Sequence, residues 1–159
     1  MAIAIFLDMD GTLADLYNHE NWLEALETQA PIFSALKPLT NPLETAAVLS
    51  ELRKKGVKLC ALTWLPKKAK PAYAQRAVIE KKEWIKRFYP MIDCVICAEY
   101  GTPKKEMIPP WKRTKLQILI DDNAEVCRAW ETPKQRKALQ CGAKLTVLEI
   151  LRDLNEIII

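Results

Sequence analysis

The stretch "IAIFLDMDGTLADLY" (residues 3–17) places two aspartates, Asp8 and Asp10, at the end of a continuous apolar run. Such a run, without polar alternation, is typical of a strand that is buried on both faces, as in a parallel sheet. A glycine and a threonine, Gly11 and Thr12, follow the aspartates directly. An isolated acidic pair in this position can form a turn or cap a helix, so its meaning depends on how the other strands end.

The remaining sequence alternates between strand-like and helix-like segments. Strand-like segments cover 57–63, 91–98, 115–123 and 143–149, helix-like segments cover 21–33, 41–56, 71–90, about 124–140 and the terminal residues, and a loop rich in turn residues covers 100–111. The segment from Asn41 to Gly56 is the clearest helix, because it has a favourable N-cap and a favourable end. The alternation predicts an α/β fold with a doubly wound, Rossmann-like parallel sheet.

The composition predicts one soluble domain. The length of 159 residues, 50% of them hydrophobic, suits a single compact domain over residues 1–159. The start "MAIAIFLDMD" does not resemble a secretory signal, and no apolar run approaches the ~20 residues of a membrane span. We therefore expect a cytoplasmic protein with no membrane association.

The positive charge is small and dispersed. The chain has 24 Lys and Arg against 20 Asp and Glu, a net charge of +4, and the basic residues stand in groups of two or three. Because a nucleic-acid-binding protein more often has one dense basic patch, binding to nucleic acid is compatible with the sequence but is not indicated by it. Mild basicity suits a phosphorylated small-molecule substrate, although solvated helix faces are the simpler explanation of each group. The sequence does not indicate an oligomeric state.

The cysteines are expected to be reduced and buried. There are five, Cys60, Cys94, Cys97, Cys127 and Cys141, and an odd number without a secretory signal argues against a disulfide framework. The pair in "CVIC" (94–97) lies on a predicted strand, where residues three apart point to opposite faces and chelate a metal poorly. We expect these thiols to pack as small hydrophobic side chains.

Polar side chains follow three of the predicted strands at their carboxyl ends. Asp8 and Asp10 follow the first strand, and Thr63 closes the second. Asp121 and Asp122 follow the fourth. Each of these polar residues alone has a structural explanation. In a parallel sheet, however, the carboxyl ends of the strands share one rim, where ligands bind. Carboxylates gathered there need a cation, and oxygen-only ligands suit Mg²⁺, which also binds substrate phosphate oxygens. We therefore expect a magnesium site for phosphoryl chemistry, in which one aspartate attacks phosphorus and a second moves a proton.

These stretches together resemble the motifs of the haloacid dehalogenase-like (HAD) hydrolase superfamily. "FLDMDGTLAD" (6–15) is similar to its first motif, DxDGT, and "LCALTW" (59–64) is similar to the second. "YGTPKKE" (100–106) supplies a candidate for the third, a lysine, and "ILIDDN" (118–123) is similar to the fourth, an acidic pair. The order and the strand placement agree over nearly the whole chain, and the resemblance implies a HAD-type phosphatase.

The resemblance implies a role for each position. Asp8 would be the nucleophile that forms an aspartyl-phosphate, and Asp10 would be the general acid and base, with its backbone carbonyl also reaching Mg²⁺. Thr63 would hydrogen-bond the transferring phosphoryl group. Asp121, with Asp122, would complete the magnesium site.

The third-motif lysine would hold the phosphoryl group against the nucleophile, and four lysines are candidates. Lys104 fits best because its turn follows the third strand, and Lys105 is next. Lys112 and Lys115 remain open because they lie close to the fourth strand. The residues expected to contact substrate are Gly11, Thr12, Trp64 and Lys105.

Within the superfamily, the chain is most similar to small bacterial and phage proteins near the 5'(3')-deoxyribonucleotidases, which implies a nucleotide-like substrate. Its cap insertion is short, at about residues 14–41, so specificity would depend more on the rim. Tyr17, Trp22 and Trp64 are candidates to stack on a base. For Trp22, packing of the cap helix on the body is the alternative.

Two other functions are compatible with the same residues. An open site would admit the phosphorylated end of a polynucleotide or another large substrate. The chain could instead be a non-catalytic binding or regulatory module on a phosphatase scaffold, but competent residues at all four motif positions count against that interpretation.

Overall fold

The sheet is fully parallel. The computed structural model describes residues 2–108 and 114–159. Within them lie five strands, β1 (Ile3–Leu7), β2 (Lys58–Trp64), β3 (Cys94–Ala98), β4 (Leu116–Asp121) and β5 (Arg136–Gln140). They form one sheet in the order β3-β2-β1-β4-β5, and every neighbouring pair is parallel. This confirms the predicted α/β, Rossmann-like sheet.

Helices connect the strands and cover both faces of the sheet. The helices are α1 (Trp22–Glu27), a 3-10 helix (Phe33–Ala35), α2 (Pro42–Lys54), α3 (Pro71–Phe88), α4 (Lys104–Met107), α5 (Ala124–Trp130) and α6 (Val147–Ile157). Alternate β1 residues point to opposite faces: Ile5 and Leu7 pack with α2, α3 and α6, whereas Phe6 packs on the other face, against Trp130 of α5. No helix within the two described ranges is both long and apolar enough to cross a membrane.

The clearest predicted helix begins as its sequence indicates. The Asn41 side chain accepts hydrogen bonds from the backbone N–H groups of Leu43 and Glu44, at 3.0 and 3.2 Å. The predicted loop at 100–111 contains the short helix α4, which the turn residues around it concealed. Residues 109–111, the last part of that predicted loop, lie outside the described part of the chain.

The last third of the chain differs from the prediction. The helix expected at about 124–140 ends at Trp130, and β5 follows it. Pro133 lies between the two elements and is incompatible with a continuous helix. The strand expected at 143–149 is also wrong. Thr146 and Glu149 instead form a reciprocal capping box at the start of α6. The capping residues are visible in the sequence, but the mainly apolar residues around them favoured the prediction of a strand.

Two cysteines form a disulfide, so the expectation of five reduced thiols is wrong. Cys60 on β2 and Cys94 on β3 are register partners in the sheet, with Cα atoms 4.9 Å apart. The sequence could not predict this pair because it does not show which strands are neighbours. Among the described residues, Cys97, Cys127 and Cys141 are free thiols.

Candidate functional site

Three strand ends meet at one rim, as their sequence positions predict. The central strand β1 has β2 on one side and β4 on the other. Asp8 follows β1 directly, and its backbone N–H donates to the carbonyl of Ile120 on β4 at 3.0 Å. The sheet order therefore brings together Asp8, Thr63 and Asp121.

Lys104 lies at the centre of this arrangement. Its ammonium group donates to Asp8 Oδ1 at 2.5 Å, to Asp121 Oδ2 at 2.7 Å and to the backbone carbonyl of Leu62 at 3.0 Å. The residue is only 5% exposed. Burial lowers the pKa of this ammonium, but Asp8 and Asp121 raise it by more, so the pKa lies above its usual value. Lys104 is therefore a fixed cation beside the carboxylates.

The other candidate lysines are placed differently. Lys105 is exposed and lines a neighbouring cavity. Lys115 precedes β4 and is also exposed, so it lies at the opposite, amino end of the parallel strands. Lys112 lies outside the described residues. Of the described candidates, only Lys104 contacts Asp8.

Three carboxyl groups are close enough to bind one cation. Oxygen atoms of Asp8, Asp121 and Asp122 all lie within 4.8 Å of one another. Burial, followed by the charge of Asp8, raises the pKa of Asp121 to about 6 and that of Asp122 to about 7. Asp121 and Asp122 therefore resist ionisation beside Asp8, and a bound cation would offset this repulsion. Because all three donors are carboxylate oxygens, the set fits a hard divalent cation such as Mg²⁺.

The Asp10 side chain is separate from that carboxylate group. Its Oδ2 accepts a hydrogen bond from Lys81 Nζ at 2.5 Å. Its Oδ1 is buried and has no hydrogen-bond partner within the described ranges. Burial raises the pKa of Asp10 above its ordinary value, although Lys81 opposes the shift. The expected metal contact of Asp10, through its backbone carbonyl, stays a prediction.

Lys81 is the residue that the sequence analysis missed. It lies on α3, is completely buried, and also donates to Thr63 Oγ1 at 2.8 Å. The buried residues Ala77, Trp84 and Ile85 lie on the same face of the helix. A lysine at a core position of an amphipathic helix was therefore the available signal, but the charged run "EKKE" around it made it resemble a surface residue.

A cavity of about 330 Å³ opens above the carboxylates. One side comes from the segment predicted as the cap, where the Tyr17 and Trp22 rings pack edge to face with centroids 5.1 Å apart. Trp64 and Tyr100 form the other side, with ring centroids 5.1 Å apart. The Trp64 indole N–H donates to the carbonyl of Thr102 at 2.7 Å, which fixes the ring. All three predicted rim aromatics thus line the cavity.

The two small residues of the first motif-like stretch have mainly structural contacts. Gly11 has a φ of +83°, and a Cβ there would lie 2.5 Å from the Tyr17 ring and 2.6 Å from Asp122 Oδ2. Glycine is therefore required here, because the backbone has a positive φ and there is no room for a Cβ atom. Thr12 is fully buried, and its hydroxyl accepts a hydrogen bond from the Cys141 thiol at 3.5 Å. Substrate contact by either residue stays a prediction.

Comparison with known proteins gives similarity at the level of the fold. No protein-family model matches the sequence, and none of the curated proteins matches it. Among solved structures, the chain is 20% identical, with a TM-score of 0.54, to a chain in a structure described as a Pnkp1/Rnl/Hen1 complex. That similarity covers 89% of this chain but only 46% of the other, so this chain spans less than half of its length.

A second solved structure is covered almost completely. It is D,D-heptose 1,7-bisphosphate phosphatase from Burkholderia thailandensis, at 8% identity and a TM-score of 0.54, with 95% of this chain and 97% of that chain covered. At these identities the similarity shows a shared fold alone. The structural neighbours thus support the α/β, Rossmann-like fold of this chain.

Proposed function

We propose that this protein is a Mg²⁺-dependent phosphomonoester phosphatase of the HAD type, which acts through an aspartyl-phosphate on Asp8 and takes nucleotide-like substrates. The observation that carries the proposal is the contact of Lys104 with both Asp8 and Asp121, beside a group of three carboxylates at the base of a cavity. Fixed positive charge beside an anionic nucleophile is what transfer of a phosphoryl dianion requires.

The first step uses Asp8 as the nucleophile. An Asp8 carboxylate oxygen forms a bond to phosphorus as the bond from phosphorus to the leaving oxygen breaks. The Lys104 ammonium, together with the Thr63 hydroxyl, stabilises the charge on the phosphoryl oxygens. The leaving oxygen takes a proton from Asp10, and burial raises the pKa of that carboxyl above its ordinary value, although Lys81 opposes the shift.

The second step releases phosphate. Asp10, now a carboxylate, takes a proton from water as the water oxygen bonds to phosphorus and the bond from phosphorus to the Asp8 oxygen breaks. Inorganic phosphate leaves, and Asp10 again carries the proton. Asp8, Asp121 and Asp122 would hold Mg²⁺, which when bound neutralises charge between the phosphoryl group and the nucleophile.

The aromatic side chains that line the cavity favour a substrate with a nucleotide-like leaving group. Tyr17, Trp22, Trp64 and Tyr100 line the cavity above the carboxylates, and aromatic faces of this kind stack on nucleobases. The cavity, at about 330 Å³, lies at the small end of the range for small-molecule sites. A base and its sugar are a suitable occupant.

The end of a polynucleotide is the second candidate substrate. Tyr100 is 56% exposed, and Lys67 Nζ lies 5.7 Å from the centre of its ring. An exposed aromatic beside a cation could bind a further nucleotide outside the cavity. The similarity to a chain of the Pnkp1/Rnl/Hen1 complex is compatible with this candidate.

Phosphate release tests the proposal. Nucleoside monophosphates, sugar phosphates and a 5'-phosphorylated oligonucleotide are incubated with the wild type in Mg²⁺ or in EDTA. Asp8→Asn serves as the blank, and Asp153→Asn, an exposed position on α6, serves as the matched control. We expect EDTA-sensitive release by the wild type and by Asp153→Asn alone, fastest from a nucleoside monophosphate.

The alternatives give different results in the same assay. Faster release from the oligonucleotide would favour the second candidate. No release above the Asp8→Asn blank from any substrate would contradict the phosphatase proposal and favour a binding module.

A further inference from the structure

A row of two cations and two aromatic rings runs along one wall of the cavity. Lys104 Nζ lies 5.7 Å from the centre of the Trp64 ring, and the Trp64 and Tyr100 ring centroids are 5.1 Å apart. Lys67 Nζ lies 5.7 Å from the centre of the Tyr100 ring. All four residues line the cavity. The row therefore runs from the proposed site of phosphoryl transfer, at Lys104, outward to Lys67.

The two lysines of the row differ in what their charges contact. Lys104 donates to Asp8 and Asp121, so its charge serves the reacting end of the cavity. Lys67 is exposed and forms no salt bridge within the described ranges. Lys67 and Lys104 are the only basic residues among the described residues that line this cavity. Lys67 is therefore the cation that is available to a second anionic group of a ligand.

The loop that carries Lys67 is held in place on both sides of it. The Leu65 N–H donates to the carbonyl of Ala98 on β3 at 2.7 Å. The Lys70 N–H donates to the side chain of Gln29, in the segment predicted as the cap, at 3.1 Å. These contacts fix the loop against the sheet and the cap segment, so the Lys67 side chain extends from a defined position beside the cavity.

A second cavity, of about 580 Å³, lies on the outer side of Lys67. Lys67 and Tyr100 line both cavities, so they stand between the two. Lys68 also lines the outer cavity, where Glu99 is the one acidic residue among the described lining residues. The outer end of the row therefore has an excess of positive charge, which favours an anionic ligand group there.

We infer that Lys67 binds a second phosphate group of the substrate, at the opposite end of the aromatic pair from the phosphate that Asp8 attacks. The inference rests on the proposed function, and it narrows the substrate class to nucleotides that carry two phosphates. The base packs against Trp64 and Tyr100, between the two phosphates. The second phosphate is either a monoester on the same nucleoside or the diester that leads to the next nucleotide, because both present anionic oxygens to a lysine.

Substrates that differ only in the second phosphate test this inference. A nucleoside 5'-monophosphate, its 3',5'-bisphosphate and the 5'-phosphorylated dinucleotide of the same base are compared, and loss of the 5'-phosphate is followed by chromatography. The variants are Lys67→Met and Lys67→Glu. The matched control is Lys70→Met, because this exposed lysine of the same loop lines neither cavity and its replacement removes the same charge.

The measured quantity is the ratio of kcat/KM for the bisphosphate to kcat/KM for the monophosphate. In Lys67→Met this ratio should fall about fivefold, because an exposed ion pair contributes only modestly to binding. The fall should come from KM, since Lys67 contacts no reacting atom. Lys67→Glu should lower the ratio further, because its carboxylate repels the second phosphate. At about 1 M salt the difference between the wild type and Lys67→Met should shrink, because exposed charges are screened.

The dinucleotide distinguishes the two sources of the second phosphate. A fall in the ratio for the bisphosphate assigns it to the monoester, and a fall for the dinucleotide alone assigns it to the diester. Unchanged ratios for both substrates in Lys67→Met, or an equal fall in Lys70→Met, would overturn the inference and leave the phosphatase proposal standing. Wild-type release no greater than that of Asp8→Asn from all three substrates would overturn both.

Discussion

Removing the ammonium of Lys104 should destabilise the fold as well as the site. In Lys104→Met, the two carboxylates that it bonds at 2.5 and 2.7 Å, Asp8 and Asp121, lose their shared cation. Removing one partner from a buried ion pair costs about 3–5 kcal/mol, and the variant recovers part of this because it no longer buries an ammonium. We therefore expect the free energy of unfolding in EDTA to fall by about 3 kcal/mol.

Urea denaturation followed by circular dichroism measures this change, with Lys105→Met as the exposed neighbouring control. Mg²⁺ should restore more stability to Lys104→Met than to the wild type, because the variant has only the metal to join its carboxylates. A loss below about 1 kcal/mol would refute this reasoning, because it would mean that the two carboxylates do not depend on Lys104.

Three further variants test separate parts of the structure. Gly11→Ala should lower stability by about 1–3 kcal/mol, because the backbone has a positive φ and the new methyl group would collide with Tyr17 and Asp122; an unchanged Tm would contradict this. Trp64→Ala should raise KM about tenfold for a nucleoside monophosphate but not for a sugar phosphate, since stacking on a base is lost; equal effects would exclude stacking. Thr146→Ala should cost about 1 kcal/mol in chemical denaturation through loss of the α6 cap, and a neutral result would show that the cap does not contribute.

The parts of the site that the sequence predicted are those that local patterns encode. Asp8 follows an apolar strand and Asp121 is the last residue of another, and parallel strands place such ends at one rim whatever their order. Lys104 was identified because its turn follows a strand. Lys81 was missed because its burial depends on how α3 packs against the sheet, which a charged run such as "EKKE" conceals.

The errors in the fold have a related cause. The edge strand β5, "RKALQ", is only partly buried, so it has no continuous apolar run to distinguish it from a helix. Pro133 is the local signal against a continuous helix through this region. The disulfide between Cys60 and Cys94 depends on β2 and β3 being neighbours in register, which is a property of the sheet rather than of any local segment.

The most direct test of the central claim is to detect the phosphoryl group on Asp8. Wild-type protein is mixed with Mg²⁺ and its best substrate, quenched rapidly in acid and digested, and the peptide that contains Asp8 is analysed by mass spectrometry. We predict a mass gain of one phosphoryl group on Asp8 in the wild type and none in Asp8→Asn. Turnover of substrate by the wild type with phosphate trapped on another residue, or unimpaired turnover by Asp8→Asn, would contradict the account.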